Sequence, residues 1–369
     1  MKIKKLLSRT GITLISATVL VTAIMLLASF GGPGSKEPAN QQDSKGLKDY
    51  YKNYFPIGVA IGPGSIDGPQ GELIKKNFNS VTCENVMKPA LIHPEENKYN
   101  WEPADKIVAQ ALANGMRVRG HTLCWHSQTG AWMTKDADGK QITKEVAFAR
   151  LKEHITTVVS HFKGKVYGWD VLNEIISDDT SKTKIYRETA PWYKICGDEF
   201  IPKIFQWAHE ADPNAILFYN DYNTENPIKR EKIYNFLKKL LAQGVPINAV
   251  GLQAHWHLDN PTEQQIRESI DKFASLGLKV QFTELDVTTR GNRSDTTKAF
   301  TAEKEKKQME FYKMAFKVFR EKKDKITGVT FWNVSDRGSW LDRGGLKSYP
   351  LLFDVNDQPK KAYWEVVKF

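Results

Sequence analysis

From Pro56 onward, short β-rich runs recur with amphipathic helical stretches between them, and this alternation restricts the fold more than any other feature of the chain. Neighbouring parallel strands cannot be joined by a tight turn; they need a crossover, and a helix is the usual one. Strand-like runs fall near residues 57–61, 78–82, 117–121, 166–173, 216–220, 249–253, 280–284 and 328–332. Helical candidates lie between them at 103–114, 144–162, 200–211, 227–243, 261–276 and 302–321, and several open on a start signal such as Glu102-Pro103 or Asn260-Pro261. Eight strands alternating with helices predict an α/β protein, one (β/α)8 TIM barrel over residues 47–369. No internal repeat is visible, no second module is expected after the barrel, and residues 363–369 read as a closing helix.

A barrel of this kind carries its chemistry at the C-terminal ends of its strands. The polar and aromatic residues obey that rule. Glu84, Asn85 and Lys88 follow the second run, His121 ends the third with Trp125, His126 and Gln128 just beyond, and Asn173 and Glu174 end the fourth. Asp221, Tyr222 and Asn223 follow the fifth, while Gln253, His255, Trp256 and His257 end the sixth. Glu284 and Asp286 end the seventh and Trp332 the eighth, with Asp336 and Trp340 on the next loop. Val280, Phe282 and Glu284 share one face by the period of two, so an apolar strand interior is expected to run straight into an acid. Glu174 ends a similar strand, and two carboxylates across a cleft suggest glycoside hydrolysis. The ten Trp supply a surplus of surfaces for stacking on sugar rings.

Plainer readings stand beside these. Taken singly, a strand-end acid is more often paired with Lys or Arg on the barrel rim than catalytic. His121, His126, His255 and His257 also fit a metal-site pattern, since metal-dependent barrel hydrolases carry His-x-His and acids near strand ends. His93, His154, His161 and His209 read as surface or packing residues, and Trp101, Trp169, Trp192, Trp207 and Trp364 as packing. Arg119 and Asp170 are candidates for a pair inside the barrel. Asp286 reads as a partner behind a site residue, and Asp221 and Asp336 as either structural or rim groups.

Residues 1–30 differ from the rest. Lys2, Lys4, Lys5 and Arg9 precede an acid-free apolar run over 11–30, which reads as a secretory signal or an uncleaved membrane anchor of bilayer-spanning length. Residues 31–46 read as a flexible tether. Export follows, with membrane association only through that N-terminal segment. The formal charge of +10 includes +4 from those basic residues, and the remaining lysines are scattered along helical faces, so no nucleic-acid partner is expected. Three cysteines exclude a disulfide framework; a single Cys83–Cys124 bridge stays open beside buried thiols as the default.

Several motifs, in order, carry a resemblance: 78–88 (Phe-Asn-Ser-Val-Thr-Cys-Glu-Asn-Val-Met-Lys), 119–128 (Arg-Gly-His-Thr-Leu-Cys-Trp-His-Ser-Gln), 169–174 (Trp-Asp-Val-Leu-Asn-Glu), 219–223 (Tyr-Asn-Asp-Tyr-Asn), 251–255 (Gly-Leu-Gln-Ala-His), 282–286 (Phe-Thr-Glu-Leu-Asp) and Phe331-Trp332. Together they make residues 50–369 resemble glycoside hydrolase family 10, the endo-β-1,4-xylanases. The resemblance implies that Glu174 is the general acid/base and Glu284 the nucleophile of a retaining mechanism, with the two carboxyls roughly 5 Å apart. It implies that Asn173 bonds the sugar 2-hydroxyl and that His255 holds Glu284 charged. Glu84, Asn85, Lys88, His121, Trp125 and Gln128 would hold glycone sugars, Gln253, Trp332 and Trp340 enclose them, and Tyr222 stack on the aglycone side. It assigns the histidines to hydrogen bonding, with no metal and no cofactor, and xylan and xylo-oligosaccharides as partners. A monomer is expected, since a barrel buries its own core. Cys83, Cys124 and Trp256-His257 depart from the family pattern and put the sugar preference in doubt. A β-1,4-glucanase or mixed-linkage enzyme of the same fold, or a non-catalytic glycan-binding protein, are the alternatives.

Overall fold

In a computed structural model, which describes residues 44–290 and 299–369, the strand runs form β1 (Ile57–Ile61), β2 (Ser80–Cys83), β3 (Arg117–Cys124), β4 (Val166–Asn173), β5 (Ile216–Asp221), β6 (Ala249–Leu252), β7 (His255–His257), β8 (Lys279–Thr288) and β9 (Ile326–Phe331). All pairings among them are parallel, in the order β6-β5-β4-β3-β2-β1-β9-β8, and β6 pairs with β8 to close the barrel. The short β7 resumes the sixth strand past Gln253-Ala254 and pairs with 286–288 of β8. The predicted barrel is borne out, with strand ends displaced: β3 runs on to Cys124 and β8 to Thr288. The expected signal or anchor over 1–30, and the tether up to residue 43, lie outside the described residues. Among the described residues, no helix is long and apolar enough to cross a membrane.

The helices owe their positions to one apolar stripe each. Along Phe200–Ala211 the buried positions are Phe200, Ile201, Ile204, Phe205, Ala208 and Ala211, the spacing of a helix with one face on a core. The helix expected from Pro261 begins instead at Glu263. Thr262 caps it: the Gln265 amide donates to the Thr262 hydroxyl at 3.3 Å, and the Thr262 amide donates to the Gln265 side chain at 2.9 Å. This reciprocal cap outweighs the start signal of a proline two residues earlier. The closing helix spans Lys361–Val367, and its Trp364 is 37% exposed rather than packed.

The seventh barrel strand does not keep one face from Val280 to Glu284. Phe282 points outward, its ring 4.2 Å from Phe319 and 5.7 Å from Trp256 in the layer between strands and helices. Gln281 and Thr283 point inward, bonding Tyr167 and Asn220. Phe282 pairs with Val329 and Leu285 with Phe331, three steps on β8 against two on β9. That bulge turns Glu284 inward beside Thr283. A similar shift on β4, between Asp170 and Leu172, precedes Asn173 and Glu174.

Inside the barrel Arg119 and Asp170 form the expected buried ion pair. Trp169 packs outward on Phe162, and Gly120 leaves it room, since an added Cβ would lie 2.1 Å from the indole. Cys83, Cys124 and Cys196 are buried free thiols. His93 and His154 are buried against each other, their Nδ1 atoms 3.2 Å apart.

Candidate active site

The C-terminal ends of the strands enclose a cavity of about 520 Å³. Its lining brings together the two acids and the sugar-binding residues that the resemblance assigned: Glu174 and Glu284, with Glu84, Asn85, Lys88, His121, Trp125, Gln128, Asn173, Tyr222, Gln253, His255, Trp332 and Trp340, but not His126. Asn223 joins them. Trp256 and His257 do not; the first is buried against Phe282, Phe311 and Phe319 on the opposite face from His255, and the second is exposed at the end of the strand. The departures at Cys83, Cys124 and Trp256-His257 therefore do not reach the cavity wall.

Two carboxyls meet there in opposite surroundings. Glu284 accepts a hydrogen bond from Asn220 Nδ2 at 2.8 Å on Oε1 and one from His255 Nε2 at 3.2 Å on Oε2. Burial alone would push its pKa up, but the bond from His255, the neighbouring His121 and His255, and the bond from Asn220 prevail and hold it at about 2. His255 is held in turn: its Nδ1 donates to Asp286 Oδ2 at 2.9 Å. Burial pushes the imidazole down, yet Asp286 and Glu284 prevail and raise it to about 10. Glu284 is therefore an anion against an imidazolium.

The imidazole beside the Glu174 carboxyl, that of His126 with Nδ1 at 3.9 Å, is pushed down to about 4 by burial and by the charges of Arg187 and Lys229, so it offers no cation there. Glu174 accepts from Gln253 Nε2 at 2.8 Å, Asn173 Nδ2 at 3.0 Å and the Trp125 indole at 2.9 Å, all neutral donors. Burial lifts its pKa above the ordinary value, the bond from Gln253 and that from Trp125 work against the rise, and the nearby Asp221 and Glu284 add to it. One pocket thus holds a carboxyl biased toward its proton and another biased toward ionisation, the division that acid and nucleophile require.

Asn220 ties the two halves together. Its Nδ2 donates to Asn173 Oδ1 at 2.8 Å as well as to Glu284, and its Oδ1 accepts from Thr283 at 2.7 Å. Gly251 makes room for it, because a Cβ there would lie 2.2 Å from Asn220 Oδ1. Sequence reasoning did not single out Asn220, although a polar residue on the otherwise apolar run Leu217-Phe218-Tyr219 is a signal for an inward position.

The remaining wall is polar below and aromatic around. Glu84 accepts from Asn333 Nδ2 at 2.9 Å, a second residue the sequence did not flag. Lys88 Nζ donates to Asn85 at 2.9 Å and lies 5.2 Å from the Trp125 ring centre and 6.0 Å from that of Trp332. Burial lowers the Lys88 pKa, opposed by Glu284, Glu84 and Glu174. His121 Nδ1 sits 2.8 Å from Asp170 Oδ2, and the Trp332 ring stands edge-on to the His121 ring at 5.2 Å. Trp340 donates to Asp286 at 2.9 Å and its ring lies 4.8 Å from that of His255, which confirms Asp286 as the partner behind the site. Asp221 and Asp336 are structural, buried against Lys229 and Lys360.

Residues 46–369 match the family described as Glycosyl hydrolase family 10. The chain belongs to that family. A β-1,4-xylanase of Dictyoglomus thermophilum is 47% identical over 355 residues, covering 95% of this chain and 98% of its own. The crystal structure of xylanase XynB from Paenibacillus barcinonensis superposes with a TM-score of 0.85 at 44% identity, covering 88% of this chain and 99% of that one. A xylanase of Thermoanaerobacterium saccharolyticum, solved in complex with xylotriose, superposes with a TM-score of 0.81 at 40% identity over 88% of this chain and 99% of its own. Membership of family 10 makes the chain a glycoside hydrolase, with the barrel as its catalytic domain.

Proposed function

We propose that this family 10 enzyme is an endo-1,4-β-xylanase that hydrolyses internal β-1,4-xylosidic bonds of xylan with net retention, Glu284 acting as nucleophile and Glu174 as acid/base. The observation that carries the assignment of roles is the opposite bias of the two carboxyls in one cavity. The relatives' names supply the substrate class.

In the first step Glu174 donates its proton to the leaving glycosidic oxygen while ionised Glu284 attacks C1, forming a glycosyl ester. Forming the ester removes the Glu284 charge. Glu174, deprotonated and relieved of that neighbour, then takes a proton from water as it attacks C1, releasing the sugar and restoring Glu284. Asn173, fixed by Asn220 and flanking Glu174, is placed to bond the sugar 2-hydroxyl, a contact that strengthens as charge develops at C1. The basic and then apolar start of the chain supports export, which suits a polymeric substrate that cannot cross a membrane. A barrel that buries its own core supports a monomer.

Reducing-sugar release from xylan by the full-length protein, beside Glu284→Ala with and without azide, tests this. Activity in the parent, loss in the variant and rescue as an inverted glycosyl azide are expected. A folded parent inactive on xylan but active on cellulose or mixed-linkage glucan would transfer the assignment to those substrates.

A further inference from the structure

Behind Glu174, the loop that follows β4 folds back on itself. Arg187 N donates to Ile175 O at 2.7 Å and Ser177 N to Ile185 O at 2.8 Å, with Ile176 and Tyr186 bridged antiparallel. This ribbon delivers Arg187 to the back of the acid. Its Nε donates to the Glu174 carbonyl oxygen at 3.1 Å, and its Nη2 donates to Tyr222 Oη at 2.7 Å and to Asp178 at 3.3 Å. Glu174 sits at φ +59°, a left-handed conformation that a non-glycine residue keeps only when its surroundings hold it there. Tyr222 is held as firmly: Oη also donates to Asp178, and Lys229 Nζ lies 3.6 Å from the ring centre while paired with Asp178 at 2.9 Å and Asp221 at 2.8 Å. One face of the ring is covered, and the ring also lines the cavity.

We propose that Arg187 is a positioning residue for the acid/base step. One planar guanidinium spans the backbone of Glu174 and the hydroxyl of Tyr222, so a sugar seated on Tyr222 has its glycosidic oxygen held in register with the Glu174 carboxyl. Arg187 itself does not line the cavity. A lysine cannot replace it, because a single ammonium lacks the fork that reaches both acceptors in fixed geometry. This role rests on Glu174 being the acid/base.

The experiment compares full-length Arg187→Lys and Arg187→Gln with the parent on xylotetraose and on 2,4-dinitrophenyl β-xylobioside, with thermal melts to establish folding. Dinitrophenolate leaves without a proton. Its kcat/KM should therefore stay within about twofold of the parent, while kcat/KM on xylotetraose falls about 10- to 100-fold. Breakdown of the glycosyl ester still needs a base, so kcat on the aryl substrate should fall and azide should restore it. Proportional losses on both substrates, or a rise in KM alone with no response to azide, would overturn the role. Arg187→Lys keeps the charge and most of the packing, and carries the test if Arg187→Gln does not fold. Glu174→Ala, run in parallel, should show the same dependence on leaving group. If it does and the Arg187 variants do not, the role of Arg187 falls alone; if it does not, the assignment of Glu174 falls and Arg187's role with it.

Discussion

His255 Nε2 stands 3.2 Å from Glu284 Oε2, with Asp286 2.9 Å from the opposite nitrogen of the same ring, so an imidazolium is held between two carboxylates. The middle charge keeps the nucleophile ionised despite its burial. His255→Asn removes it and leaves burial less opposed, so the acid limb of kcat/KM should move up by about 1 to 2 pH units. The pair also has a stability signature. Glu284 is depressed from 4.5 to about 2, so its contribution is present above 4.5 and lost as pH falls toward 2. His255 is raised from 6.5 to about 10, so its contribution is present below 6.5 and lost as pH rises through 10. Melting temperatures of parent and variant should therefore differ most between about pH 4.5 and 6.5. A difference independent of pH would contradict the ion pair.

Asn220 donates one amide group to both Asn173 and Glu284. Asn220→Ala should lower kcat about 100-fold, the scale for removing one preorganised donor, with a smaller change in KM. Steady-state kinetics on xylotetraose decide it, and a loss confined to KM would mean that Asn220 only shapes the pocket.

Trp340 is 40% exposed at the mouth of the cavity, its indole tied to Asp286. Xylose lacks the hydroxymethyl group of glucose, so an indole fixed against the sugar ring would exclude glucose without cost to xylose. For Trp340→Ala the ratio of kcat/KM on cello- to xylo-oligosaccharides should rise about 10-fold. An unchanged ratio would place the discrimination elsewhere.

The strands were legible because each parallel strand is an apolar run with its chemistry gathered at one end, as in 280–284 and 166–174. Which way each side chain points was less legible. Period two would give Phe282 and Glu284 one face, but a bulge is an extra backbone residue that hydrophobic pattern does not announce, and it sets them on opposite sides. Asn220 and Asn333 escaped notice for a related reason. Each acts through a partner on another strand or loop, Asn220 on Glu284 and Asn333 on Glu84, and such pairs emerge only when the barrel closes.

Phe282 offers a direct test of that bulge. With its ring against Phe319 and Trp256, it belongs to the layer under the helices and does not line the cavity. Phe282→Ala should destabilise the fold by about 3–5 kcal/mol, the usual cost of emptying an aromatic site in a core. The fraction that remains folded at 25 °C should keep kcat within about twofold of the parent, because the site itself is untouched. Were Phe282 on the face of Glu284, truncation would open the floor beneath the nucleophile, and kcat would fall along with stability. Denaturant melts and kcat measured on the same preparation separate the two geometries.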